Sequence, residues 1–106
     1  MQRDRDDTLH LEESHASKHM DFIYQQFSLN AGDSVLLDCD TQCNFLLLDS
    51  VNFSAFKSGG THRYHGGFFR RFPGRVTVPY AGIWYAVIHL GGASGNIRYG
   101  FRVVAA

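Results

Sequence analysis

The chain has 106 residues, of which 44% are hydrophobic and 14% aromatic, enough for one domain around one core and too short for several. Its formal net charge of +0 excludes a uniformly basic or acidic protein, yet the charges segregate: three basic and ten acidic side chains precede or include Asp49, and Lys57, Arg63, Arg70, Arg71, Arg75, Arg98 and Arg102 follow it with no carboxylate side chain among them. No apolar run reaches the ~20 residues of a membrane-spanning helix and the polar opening lacks a leader's apolar stretch, so the expected location is the cytoplasm, with no membrane partner.

Residues 1–19 read as an N-terminal extension, poorly ordered or carrying a short helix around residues 12–18, because Leu9 and Leu11 give a helix little to bury. Met20 opens a second region, 20–106, and is a candidate natural start. Phe22, Tyr24 and Phe27 belong to a first strand, and Asn30-Ala31-Gly32-Asp33 is a turn. Val35, Leu37 and Cys39 alternate with Leu36, Asp38 and Asp40, and the period continues through Cys43, Phe45 and Leu47. This is one long bent strand or two strands broken near Thr41.

Residues 53–56 form a turn or a single helical loop that drops Phe53 and Phe56 onto the core. Segments 61–65 and 68–72, separated by Gly66-Gly67, predict a hairpin. A short strand covers 75–78, bounded by two prolines. Residues 83–90 are apolar on both alternating faces, which predicts a central strand covered on both sides. After the glycine-rich loop 91–96, Ile97, Tyr99, Phe101 and Val103 form the inward face of a last strand. Seven or eight short β segments with frequent turns predict an all-β fold, an antiparallel sandwich or closed barrel.

Several side chains could carry chemistry. Asp38 and Asp40 share a strand face roughly 7 Å apart, a spacing compatible with a hydrolase or glycan-acting pair, or with a solvated face. Cys39 and Cys43 would lie about 13 Å apart on one straight strand, beyond the ~4.4–6.8 Å of a disulfide, unless a turn intervenes. Two free thiols are expected, and a metal site joining them to His62 or His65 is the weaker alternative. Gly91-Gly92 and Gly95 lack the strand-to-helix setting of a phosphate loop, and no cofactor motif is present. The expectation is no catalytic residue, no metal and no cofactor.

The richest stretch holds His62, Arg63, Tyr64, His65, Arg70, Arg71 and Arg75 among glycines and aromatics. Guanidinium groups beside aromatic rings suit carboxylate or phosphate recognition. These arginines either pair with Asp38, Asp40 and Asp49 or face solvent, and only the second makes a binding site.

Gly32-Asp33-Ser34-Val35, Asp40-Thr41-Gln42-Cys43-Asn44, Leu48-Asp49-Ser50-Val51-Asn52-Phe53, Tyr64-His65-Gly66-Gly67, Val78-Pro79-Tyr80-Ala81-Gly82-Ile83-Trp84 and Leu90-Gly91-Gly92 occur in that order. Together they resemble the small bacterial DUF1883 domain, over residues 20–104. The resemblance implies a compact sandwich of the pseudo-β-prism type, which stands alone or beside a Toll/interleukin-1 receptor domain in a sensing or interaction role. It supplies no catalytic set. His89 stands where the family often has an acidic residue, which weakens any acidic site there.

The expected function is a non-enzymatic interaction module whose basic hairpin recognises a protein or an anionic small ligand. Single-stranded nucleic-acid binding by the same hairpin, with Tyr64, Phe68 or Phe69 stacking on bases, is an alternative. A hydrolase at Asp38 and Asp40 is another, and a structural homo-oligomer a third, since only 19% of residues are charged.

Overall fold

The computed structural model describes residues 12–16, 22–90 and 95–106. They form strands β1 (Glu12–Ala16), β2 (Phe22–Leu29), β3 (Ser34–Cys39) and β4 (Cys43–Asp49), helix α1 (Ser50–Lys57), then β5 (His65–Phe69), β6 (Gly74–Thr77), β7 (Gly82–His89) and β8 (Gly95–Val104). Two antiparallel four-stranded sheets result. Sheet A has the order β1-β8-β3-β6, and sheet B the order β2-β7-β4-β5. The all-β sandwich expected from the strand pattern is the observed fold.

The core lies between the sheets. Val35, Leu37, Val76, Ile97 and Tyr99 from sheet A meet Phe45, Leu47, Trp84, Ala86 and Ile88 from sheet B. A second cluster sits on the other side of sheet B, where Phe53 and Phe56 of α1 cover Leu46, Leu48 and Val87. Sheet B is therefore apolar on both faces, which is why β4 and β7 show no polar face. The helical loop expected over 53–56 is a full helix with both aromatics turned onto the sheet.

The local chemistry of α1 explains its bounds. Asp49 caps its start by accepting the Asn52 N–H at 2.9 Å. At its end the Gly60 N–H reaches the Ala55 carbonyl at 2.8 Å and the Gly59 N–H reaches the Phe56 carbonyl at 3.2 Å. This is a Schellman ending, and Gly59 takes the left-handed conformation it needs, at φ +82°. The Asn30–Asp33 turn is fastened too: the Asp33 carboxylate accepts the Asn30 N–H at 2.8 Å and the Ala106 N–H at 3.0 Å.

Two expectations change. The short helix expected around residues 12–18 is instead β1, paired with β8 from Glu12↔Tyr99 to Ala16↔Gly95, because backbone pairing with an available edge needs no apolar stripe. Of the two readings of residues 35–48, the break near Thr41 is the observed one: β3 and β4 are separated by Asp40–Gln42 and enter opposite sheets. Gly66 and Gly67 form no hairpin turn. They lie inside β5, which pairs with β4 from Cys43↔Phe69 to Leu47↔His65. A Cβ at Gly66 would stand 2.2 Å from the Phe45 carbonyl oxygen, so this glycine serves close strand approach.

Candidate functional site

Without the hairpin, the seven residues expected to form one basic surface divide into three groups. His62, Arg63 and Tyr64 follow the glycine ending of α1, and His65 opens β5. Arg70 and Arg71 lie past the other end of β5, whose five residues span about 14 Å at about 3.4 Å per residue. Arg75 sits on β6, in sheet A.

The first group is held by neighbours rather than by its own strand. The Arg63 N–H donates to Asn52 Oδ1 at 2.7 Å, tying the segment to the first turn of α1. The His62 ring stands edge-on to Phe56 at 5.2 Å and lies 5.9 Å from Tyr64. Tyr64 is 49% exposed. In the second group, the Arg70 guanidinium lies 5.7 Å from the centre of the Phe68 ring, which is 53% exposed. Arg75 points out of sheet A and donates from Nε to Ser34 Oγ at 3.2 Å. It shares a cross-strand row with Leu36 and Arg102, so Arg102 joins this face. Its outward position in the alternation of the last strand was the signal for it.

Among the described residues, Arg63, Arg70, Arg71 and Arg75 are all exposed and none forms an ion pair with Asp38, Asp40 or Asp49. The latter two carboxylates are engaged elsewhere. Asp40 Oδ1 accepts the Arg98 N–H at 3.1 Å and the Thr41 hydroxyl at 2.9 Å. The Arg98 N–H bond, then that of Thr41, holds its carboxyl below the ordinary range. Asp40 also lies in the turn after β3, outside the strand on which Asp38 sits. The two acids therefore do not form the strand-borne pair expected of a hydrolase. Among the described residues, no three His, Cys, Asp or Glu side chains converge in a manner that could hold a metal ion.

A cluster not singled out from the sequence lies at the α1 end of sheet B. Asp49 accepts bonds from the Asn52 N–H, from Asn52 Nδ2 at 2.8 Å and from the Tyr80 hydroxyl. The Tyr80 bond is the main cause of a lowered Asp49 pKa, with the Asn52 bonds and the nearby His65 ring adding to it. The same bond raises the Tyr80 pKa. Trp84 donates from Nε1 to the Tyr80 carbonyl at 3.0 Å, and its ring meets those of Tyr80 at 4.9 Å and His65 at 5.7 Å. Asp49 is thus an occupied acceptor rather than a free base. What the cluster presents to solvent is a tyrosine ring fixed in place, 48% exposed.

The cluster unites three of the segments on which the family resemblance rested, 48–53, 64–67 and 78–84. A family model, "Domain of unknown function (DUF1883)", matches residues 20–106. The chain belongs to the DUF1883 family. The family match thus takes in every strand except β1. A search of the curated proteins finds no match. Among solved structures, this DUF1883 chain is similar to the crystal structure of Salmonella Typhimurium PliG, a periplasmic lysozyme inhibitor of g-type lysozyme. The TM-score is 0.65 at 10% identity, covering 98% of this chain and 95% of that one. At that identity the likeness is one of fold.

Proposed function

We propose that this domain is a non-enzymatic protein-binding module whose partner presents acidic residues to the surface along β5. The observation that carries the reading is the state of the arginines: among the described residues, Arg63, Arg70, Arg71 and Arg75 are exposed and form no ion pair with Asp38, Asp40 or Asp49. Arg63 with Tyr64 and Arg70 with Phe68 place a guanidinium and an exposed ring at each end of the strand. Arginine and tyrosine are over-represented among residues that dominate interface energies, and a standard interface of about 800 Å² per partner reaches both ends. PliG gives coarse support, since a protein of this fold is described there as an inhibitor of another protein.

The test is affinity capture from a lysate of the source organism at low and high salt, with the wild type and with Arg70→Ser/Arg71→Ser. A specific partner held by the wild type should bind the variant about 30-fold more weakly, corresponding to about 2 kcal/mol. Equal retention by both would reject this surface. Titration with a single-stranded oligonucleotide addresses the rival reading. Tight binding that falls steeply as salt rises would assign the surface to nucleic acid instead.

A further inference from the structure

Cys39 is the last residue of β3 in sheet A, and Cys43 is the first of β4 in sheet B. Only Asp40, Thr41 and Gln42 separate them, and the chain crosses between the sheets in those three residues. The corner is fastened to β8 in both directions: Asp40 donates its N–H to the Arg98 carbonyl at 3.1 Å and accepts the Arg98 N–H on its carboxylate. Both cysteines turn inward. Cys43 is 1% exposed within the core, and Cys39 is half-buried against the same cluster. Both are free, and both side chains pack into the same core at this three-residue corner. The straight-strand separation that forbids a disulfide does not apply at this corner.

We propose that Cys39 and Cys43 form a reversible oxidation site, converted by a hydroperoxide into an intramolecular disulfide that ties sheet A to sheet B. Their environments assign the roles. Interaction with the Cys43 thiol lowers the Cys39 pKa to about 7 against the opposing effect of burial. The same interaction, with burial, pushes the Cys43 thiol up. Cys39, the more accessible and more readily ionised, is the attacking sulfur, and Cys43 is the resolving one.

In the first step Cys39 sulfur bonds to one peroxide oxygen and the O–O bond breaks. The departing hydroxide takes up the proton lost by the thiol and leaves as water. In the second step Cys43 sulfur attacks the sulfenic sulfur, the S–S bond forms and the S–O bond breaks. Hydroxide leaves with the Cys43 proton as a second water. Two electrons pass from the thiols to the peroxide, and an external dithiol reverses the change by exchange.

The experiment uses the reduced full chain, treated with hydrogen peroxide, quenched with a thiol alkylator and read by intact mass and non-reducing peptide mapping. The expected product has lost two hydrogens, resists alkylation and yields a peptide linking Cys39 to Cys43, and dithiothreitol restores both thiols. Without peroxide, Cys39 should alkylate more than about tenfold faster than Cys43 in the folded protein, and the two at similar rates in denaturant. Cys43→Ser should accumulate a dimedone-reactive sulfenic acid at Cys39. Peroxide-treated wild type in which both thiols remain alkylatable would overturn the proposal. So would disulfides found solely between chains. Both outcomes are read on the unmutated protein, independently of whether a variant folds and of whether the β5 surface binds a partner.

Discussion

Asp49 shows how much one side chain can organise. It caps α1, holds Asn52 and anchors the Tyr80 ring. Its folded pKa lies below the ordinary 3.8. A depressed carboxyl contributes stability that is complete above the unfolded value and disappears as pH falls through the folded one. Asn caps helices nearly as well as Asp, so Asp49→Asn isolates the charge. We expect this variant to lose about 1 kcal/mol at neutral pH, the size of one hydrogen bond. The deficit should shrink as pH falls below 3.8, where the wild type becomes protonated as well. Urea unfolding of both proteins at neutral and acid pH checks this, and an unchanged deficit would contradict it. Gly66 is a second decisive residue. Its φ of +115° and the 2.2 Å approach to the Phe45 oxygen leave no room for a methyl group. Gly66→Ala should cost at least about 2 kcal/mol, whereas Gly67→Ala, with nothing within 4 Å of its added Cβ, should cost less. Comparable unfolding midpoints for the two would refute the close-approach account.

At the scale of elements, the legible parts were those whose pattern is local. The alternation of Ile97, Tyr99, Phe101 and Val103 predicted β8, and the double-sided apolar run of 83–90 predicted a strand with cover on both faces. The Gly66-Gly67 pair was misleading because a glycine-rich turn and a glycine-rich strand share a composition. Only the proximity of Phe45, some twenty residues earlier, separates them. β1 was hidden for a similar reason, as its five residues carry no apolar alternation and owe their conformation to pairing with β8. A chain starting at Met20 should therefore leave residues 95–99 of β8 on an open sheet edge. Hydrogen exchange should show faster amide exchange there than in the full chain while β4 and β7 keep their protection. Unaltered exchange at residues 95–99 would argue against the pairing in solution.

For the whole molecule, the charge division after Asp49 acquires a spatial meaning. Asp33, Asp40 and Asp49 are spent on local bonds, and the arginines of 63–75 remain in solvent. The salt dependence expected for partner capture belongs to this scale, since it depends on the summed field rather than on one pair. The expected single basic surface divides because β5 is one strand, which carries Arg63 and Arg70 to its opposite ends. The seven candidates were legible as a composition, but their grouping was not.

The sequence by itself determined that this protein is all-β, where most of its strands run, which faces are buried and that two aromatics of 53–56 cover a sheet. These follow from side-chain periodicity and turn chemistry within a dozen residues. Only the tertiary structure decided that β3 and β4 part into different sheets, that β1 completes one of them, and that Cys39 and Cys43 turn into one core at the corner. It also decided that Tyr80 is fixed by Asp49. Those outcomes depend on pairing between segments far apart in the chain, where the partner rather than the local pattern selects the conformation.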